Sequence, residues 1–509
     1  MSRYQTKIEE PADCRLRSFA SFSPSADDFR STPENGHRPA ASAGPKSATR
    51  RHSDGLTRFA FPLEAGITVA TARVLQESKQ TFRLAEIHLN AGRSEICRAM
   101  SAKCQSGTPG AIDLGRLPSD SMDMEMRYPI WKDPSWLPYC LAILIFFCSR
   151  VVVALGLVFS QKYLPSGPDV WSAGPIWYHQ LLQWDSEWYF KIVTEGYQYN
   201  GDPTVQQSIV FYPLYPMLAR GLATISGLTP ADALLLVSNV AGLLAIVVLF
   251  KLVREEFGDQ LALATTALLS FFPASVLLSA GYTEPLALLL IVSFFLALKR
   301  KYYLSAALLA GLAVSTRSTG VVLLPVLLWE MWANRDQRKF LLALVPCVLL
   351  ATSGIWLFTI YLWSAFGTPF AFADGQVAFH QGTTLATRLI AALKLEPFTR
   401  MMLNDWNPWG QASWFTLLFI TLIVLGWSRL RASWTLFAMA VLLLPYLTLS
   451  GGPAGFVSMS RFNLVSFPLF VTLAGLGLRA KWLLAGVIGL FGASLFMNTA
   501  LFARRIWIG

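Results

Sequence analysis

Between Gln183 and Tyr189 the chain reads Gln-Trp-Asp-Ser-Glu-Trp-Tyr, two carboxylates set among three aromatic rings. A carboxylate held against apolar surface loses part of its hydration, which favours the protonated form and suits a general base. On a helix over 181–194, Leu181, Trp184, Trp188 and Ile192 fall on one stripe, with Glu187, Lys191 and Thr194 away from it. That pattern predicts a short amphipathic helix lying at a lipid–water interface. Asp185 sits at the edge of the stripe, about 100° from Trp184. Asp185 and Glu187 are therefore the candidate catalytic acids. The plainer reading is an anchor helix with solvated carboxylates.

Further along, Phe211-Tyr212-Pro213-Leu214-Tyr215-Pro216 places two prolines among aromatics and predicts a kinked or re-entrant entry to the membrane, a feature that taken alone reads as architecture more than catalysis. The turn Tyr282-Thr283-Glu284-Pro285 joins two apolar runs with almost no loop, so Glu284 lies near membrane depth. An ionisable residue there is a functional candidate. With Pro285 suited to a first helical turn, Glu284 also reads as an acid held by a helix dipole. Arg317 and Arg461 stand among hydroxyls in Ser-Thr-Arg-Ser-Thr and Ser-Met-Ser-Arg. A guanidinium so placed suits a phosphate through paired charge-assisted hydrogen bonds, or snorkels to lipid phosphates. The 364–411 stretch mixes aromatics with Asp374, Gln376, His380 and Asp405, the surface a sugar needs. His380 has no partner at metal-ligand spacing, and no metal site is expected. A P-loop, a GxGxxG after a strand, HExxH and GxSxG are all missing, so soluble nucleotide-driven chemistry has no support.

What must position these residues is a membrane bundle. Of the 509 residues 54% are hydrophobic and only 14% charged, against about 25% charged in soluble domains. Mean hydropathy is +0.45. From Leu137 on, eleven apolar segments are expected near 137–160, 231–250, 260–280, 282–298, 303–316, 319–333, 340–363, 412–427, 433–449, 461–478 and 482–502. The pair 303–316 and 319–333 is short enough for half-spans. Lys251/Arg254, Lys299–Lys301, Arg335/Arg338/Lys339, Arg429/Arg431 and Arg479/Lys481 follow every second segment, and Lys132 precedes the first. By the positive-inside rule that side is cytoplasmic. The other side then receives 161–230, 279–285, Arg317, 364–411 and 450–461, the stretches with the candidate chemistry. Arg504-Arg505 dissents, since it too falls on the outer side. The +11 charge thus marks topology rather than a nucleic-acid surface.

Residues 1–130 read differently: polar, rich in Ser, Ala, Arg and Pro, without sustained periodicity or an apolar signal-peptide core. They are expected to be a disordered extension or to precede the natural start, for Met122, Met124 and Met126 cluster just ahead of the first span. A regulatory tail is the alternative. The domain organisation is then 1–130 and a membrane domain over 131–509. None of the six cysteines has metal-ligand spacing, and no Asn-x-Ser/Thr sequon occurs, which favours a bacterial membrane over a secretory one.

Over 137–509 the chain resembles the family of GPI mannosyltransferase 2 (phosphatidylinositol-glycan class V) and its bacterial relatives. The resemblance rests on Trp184-Asp185 with Trp188-Tyr189 and Gly196-Tyr197, the 211–216 stretch, Phe271-Phe272-Pro273 and Tyr282-Thr283-Glu284. Arg317-Ser318 with Gly320, the Gly367–Gln376 stretch and Ser460-Arg461-Phe462 complete it. It implies an all-α polytopic GT-C glycosyltransferase of about eleven spans. Such enzymes move mannose or a similar hexose from dolichyl- or undecaprenyl-phosphate to an acceptor hydroxyl, with inversion. Asp185 would by that analogy be the base; Arg317 and Arg461 match the motifs, and their role as holders of the leaving phosphate is inferred from their chemistry rather than implied by the resemblance. Trp188, Tyr212, Tyr282 and Glu284 would contact substrate, and Asp374, Gln376, His380 and Asp405 the acceptor or sugar. Some GT-C enzymes carry a DxD-like acid pair here, whereas Asp185 is paired only with Glu187, so metal dependence stays open. The acceptor is a lipid, glycan or protein. The expected place is a bacterial inner membrane with the site facing outward, with the endoplasmic reticulum as alternative. A transporter or flippase of lipid-linked sugars is the rival function, and a non-catalytic scaffold the third.

Overall fold

A computed structural model describes residues 136–166, 170–335, 337–379, 385–396, 410–448 and 458–508, all within the unit Met126–Gly509. His380, Asp405 and the 1–130 extension lie outside the described residues. Every regular element among the described residues is helical.

In chain order the α-helices are α1 (Leu137–Tyr163), α2 (Asp185–Glu195), α3 (Leu214–Ser226), α4 (Pro230–Phe257), α5 (Asp259–Phe271), α6 (Glu284–Lys299), α7 (Tyr303–Thr316) and α8 (Leu323–Ala333). They continue as α9 (Gln337–Phe366), α10 (Ala371–Asp374), α11 (Leu385–Leu393), α12 (Gly410–Gly426), α13 (Ala432–Thr448), α14 (Met459–Asn463), α15 (Phe467–Gly477) and α16 (Lys481–Phe502). Four stretches, Leu137–Tyr163, Pro230–Phe257, Leu342–Phe366 and Lys481–Phe502, are long and apolar enough to cross a membrane, and shorter apolar helices accompany them. On α1 the residues Leu141, Leu144, Phe147, Val151, Leu155 and Val158 form an exposed apolar stripe. Only hydrocarbon can cover such a face without cost. The chain is a multi-pass membrane protein.

Two expected segments are broken. The run 260–280 is helix only to Phe271, because Pro273 lacks an N–H and forces Phe272 to an extended ψ of 139°; a 3-10 turn Pro273–Leu278 follows. The run 461–478 divides into α14 and α15 at Ser466, just before Pro468. The stretch at 211–216 starts helix α3, with Pro213 capping it and Pro216 in its first turn. Helix α4 is opened by Thr229, whose hydroxyl accepts the Asp232 N–H at 3.1 Å.

Charge divides the bundle into two ends. At one, Arg254 meets Asp259 at 2.5 Å, Lys299 meets Glu256 at 3.2 Å, Arg300 meets Glu255 at 3.5 Å and Arg431 meets Glu256 at 2.6 Å. These basic residues are the ones the positive-inside rule assigns to the cytoplasm. The other end of α4 carries Asp232, which takes the Tyr178 hydroxyl and the His179 ring nitrogen, each at 3.0 Å. Asp232 and Glu256 are 24 residues apart on one helix, roughly 36 Å at 1.5 Å per residue, enough to bracket the hydrocarbon. The candidate residues gather at the Asp232 end.

Candidate active site

The site begins with a turn rather than a helix. Gln183 and Ser186 close a tight turn through Ser186 N–H to Gln183 C=O at 3.3 Å. At its first central position Trp184 holds φ 59° and ψ −118°, and α2 starts at the next residue, Asp185. The expected stripe is therefore out of phase. Leu181 ends a preceding 3-10 turn (Trp177–Leu181), and the face α2 buries is Ser186, Tyr189, Ile192 and Val193, with Trp184 and Trp188 half-buried. The turn resets the helical phase, which a count through 181–194 cannot register.

Four charges meet beside this turn. Glu284, fully buried in the first turn of α6, is bonded by both Arg317 and Arg461. Arg461 also reaches Asp185, Nη2 to Oδ2 at 2.7 Å. Two carboxylates thus neutralise two guanidiniums. Asp185 keeps the solvent access, at 30% exposed against 0% for Glu284. Aromatic rings wall the cluster: the Arg461 guanidinium lies 4.7 Å from the Tyr282 ring centroid and 5.6 Å from that of Trp507, and Arg317 lies 5.4 Å from that of Phe462. Among the described residues, Nη1 of Arg461 and Nε and Nη2 of Arg317 make no hydrogen bond. Burial first, and then the Asp185 carboxylate, push the Tyr189 phenol up, so it stays neutral beside the cluster.

The backbone explains why these groups converge. Helix α7 ends at Arg317 in extended conformation, and the chain doubles back so closely that a Cβ on Gly320 would stand 2.6 Å from the Ala313 backbone carbon. Only glycine permits that approach. Pro285 sits in the first turn of α6, where its missing N–H costs nothing, and directs Glu284 inward. The turn before it is pinned: Ser238 Oγ donates to Tyr282 C=O at 3.1 Å, and the Tyr282 hydroxyl donates to Gln183 C=O at 3.3 Å.

Arg150 of α1, overlooked in the sequence, supports the same turn. Its guanidinium donates to the carbonyls of Ser275 at 2.9 Å and Ser270 at 3.1 Å, and to the Ser279 hydroxyl at 2.9 Å. The Ser270 carbonyl, in the last turn before the Pro273 break, is freed by it, and also accepts the Ser275 hydroxyl at 2.6 Å. Ser279 donates in turn to Asn239 at 3.0 Å. A lone cation inside the first apolar run was the available signal.

Not every candidate joins the cluster. Glu187 turns to Arg505, with a second contact from Nη2 at 3.3 Å. Trp188 stacks on Phe211 at 5.9 Å and meets Phe379 edge-on. Tyr212 packs among Phe358 and Phe372. Asp374 is exposed and Gln376 half-buried; between them Gly375 lies where a Cβ would stand 2.9 Å from Val210, which ties that segment to the 208–211 turn beside Trp188. Of the dissenting basic pair, Arg505 is the partner of Glu187, and Arg504 donates to the Ser166 hydroxyl and the Ser160 carbonyl.

Among the described residues, the two carboxylates of the 183–189 stretch do not converge as a divalent-cation site requires. Asp185 and Glu187 each face a guanidinium, whereas a hard cation needs several convergent oxygens. No cluster of three or more metal-ligating side chains occurs among the described residues.

Comparison with known proteins brings a family signature to this part of the chain. Residues 143–366 match the family model described as Mannosyltransferase (PIG-V). GPI mannosyltransferase 2 of Cryptococcus neoformans var. neoformans serotype D (strain JEC21) is 29% identical over 199 residues, 36% of this chain and 44% of the relative. GPI alpha-1,6-mannosyltransferase 2 of Mus musculus is 32% identical over 158 residues, 29% of this chain and 31% of the relative. The chain thus spans less than half the length of these curated relatives. Among solved structures, apo ArnT from Cupriavidus metallidurans aligns with a TM-score of 0.40 and 15% identity, covering 72% of this chain and 76% of that one. The archaeal oligosaccharyltransferase AglB from Archaeoglobus fulgidus aligns with a TM-score of 0.37 and 15% identity, covering 70% and 56%.

Proposed function

We propose, on the premise that residues 143–366 belong to the PIG-V mannosyltransferase family, that this protein is a GT-C-type membrane glycosyltransferase. It moves mannose, or a closely related hexose, from a polyprenyl-phosphate carrier to an acceptor hydroxyl on the non-cytoplasmic face. The observation that carries the reading is the joining of the Trp184-Asp185 turn to Glu284, Arg317 and Arg461 at one end of the bundle.

In this reading Asp185, the cluster member with most solvent access, takes the proton of the acceptor hydroxyl. The acceptor oxygen forms a bond to the anomeric carbon from the face opposite the carrier. The bond from that carbon to the phosphate oxygen breaks, its electron pair stays with the phosphate, and configuration inverts. The unused donors of Arg461 and Arg317 stabilise the charge gained by the leaving phosphate. Glu284 keeps both guanidiniums in place between turnovers. Arg461 touches base and phosphate together, so charge lost at Asp185 on protonation and charge gained at the phosphate share one cation. No step is routed through a metal.

The 371–379 segment, with Asp374 and Gln376 beside Trp188, is proposed to meet the acceptor. The membrane is proposed to be a bacterial plasma membrane, a reading supported by outward loops that lack sequons. Residues 1–130 are proposed to be separate from the transferase domain. A transporter would need a charged pathway through mid-membrane open to each side in turn, while these charges form a self-neutralised group at one end.

The test is transfer of label from radiolabelled polyprenyl-phosphate mannose in membranes that contain the protein, with undecaprenyl and dolichyl carriers compared. A new labelled product supports the reading. Carrier-dependent movement of label across vesicles without a product would replace it with the transporter.

A further inference from the structure

Two positions that favour glycine carry the bulkiest alternatives, and their side chains touch. Trp184 occupies the first central position of a turn whose φ of 59° and ψ of −118° are those of a type II′ turn, where glycine is preferred. Arg505, 321 residues later, has φ 60°. It follows the end of α16, where Ile506 N–H bonds Leu501 C=O at 3.0 Å and Arg505 N–H bonds Phe502 C=O at 3.0 Å. That pair of bonds is a Schellman ending, whose left-handed position is ordinarily glycine. The Arg505 guanidinium lies 5.3 Å from the Trp184 ring centroid and also pairs with Glu187. Trp507 meets the Trp184 ring edge-on at 5.5 Å and lies 5.6 Å from the Arg461 guanidinium. Side chains in sparsely populated backbone regions persist when their surroundings over-determine them.

We propose that Arg505 and Trp507 form a C-terminal clamp that holds Trp184 in its strained turn and so aims Asp185 at the reacting hydroxyl. Both are positioning residues. The aim toward a hydroxyl rests on Asp185 being the base, while the clamp on Trp184 stands on geometry alone. Asp185 follows the strained residue directly, and Arg461 ties Asp185 back to Trp507, so turn, base and clamp close a ring. Without the clamp, Trp184 relaxes toward negative φ and the start of α2 rotates.

The experiment uses full-length protein in nanodiscs and compares wild type with Trp507→Ala, Trp184→Gly, the double variant and Arg505→Gly. Glycine at 184 adopts the turn without strain, so it removes the need for a clamp. Trp507→Ala should lower kcat roughly 10–100-fold with KM for the carrier unchanged, the scale of a displaced catalytic group. Adding Trp184→Gly should bring the double variant to the level of Trp184→Gly alone. Losses that multiply, or a Trp507→Ala protein with wild-type kcat, would overturn the clamp. Arg505→Gly suits its backbone position, which offsets part of the cost of leaving Glu187 unpaired, and its unfolding midpoint is measured alongside. In Arg505→Gly and Trp507→Ala, hydrogen exchange at the Ser186 amide should rise about tenfold. Unchanged exchange in both overturns the clamp. If wild type transfers neither mannose nor a related hexose, the reading of Asp185 as base fails, and the exchange rates still decide the clamp.

Discussion

Arg461 stands 2.7 Å from Asp185 through Nη2 while its Nε bonds Glu284, so a single guanidinium ties the Trp184-Asp185 turn to the start of α6. Glu284 in turn holds Arg317 at the end of α7. Four segments that meet at one end of the bundle, the Trp184-Asp185 turn, α6, α7 and α14, are therefore registered by one chain of charges.

Glu284 is the member with most to lose. Glu284→Gln leaves the largely buried Arg317 without a carboxylate and Arg461 with Asp185 alone, at a cost of about 3–5 kcal/mol. Thermal unfolding in detergent should show a lowered midpoint, and Glu284→Gln combined with Arg317→Gln should recover part of it. A midpoint equal to wild type would mean that the cluster is solvated and the ion pairs are weak.

Arg317→Lys keeps the charge but loses the planar fork. If Arg317 holds the leaving phosphate, kcat/KM should fall roughly 10–100-fold, the worth of a charge-assisted hydrogen bond. A steady-state comparison against carrier concentration measures it. An unchanged kcat/KM would confine Arg317 to anchoring Glu284.

Gly320 is required by contact, not by φ. A methyl group there would meet the Ala313 backbone at 2.6 Å, so Gly320→Ala should destabilise the fold by roughly 1–3 kcal/mol and displace Arg317. Unfolding midpoint and turnover should fall together. A stable, fully active Gly320→Ala protein would contradict the packing of α7 against the following 3-10 turn.

Arg150→Met removes the donor to the Ser270 and Ser275 carbonyls and the Ser279 hydroxyl. The Ser270 carbonyl keeps the Ser275 hydroxyl at 2.6 Å, while an acceptor left unmet costs about 1–3 kcal/mol. Hydrogen exchange should rise over 270–284 and stay at wild-type level in α9, which lies apart from Arg150's partners. Protection unchanged over 270–284 would show that the Pro273 break holds itself.

Much of this arrangement was legible in the sequence because membrane physics acts on long, simple patterns. Apolar runs marked the helices, and alternating basic clusters placed Asp185, Glu284, Arg317 and Arg461 at one end. What could not be read was how the breaks close. Pro273 shows that a helix stops, but a partner of the freed Ser270 carbonyl, Arg150, comes from a helix 120 residues earlier. Arg317 and Arg461 were read as phosphate ligands, and their pairing with Glu284 depends on helix ends meeting in space. The phase of α2 was misread because Trp184 adopts a backbone conformation that residue type argues against. Arg505 broke the charge rule for a reason only the fold supplies, its pairing with Glu187.

The central claim is that Asp185 accepts the proton in transfer from a polyprenyl-phosphate sugar. The most direct measurement is turnover of radiolabelled polyprenyl-phosphate mannose by wild type and Asp185→Asn at matched expression, with unfolding midpoints compared alongside. Asparagine is nearly isosteric and cannot take the proton, so turnover should fall roughly 10²–10⁴-fold while the protein stays folded. Near-normal turnover by a folded Asp185→Asn protein would remove Asp185 from the chemistry and leave it only as the partner of Arg461.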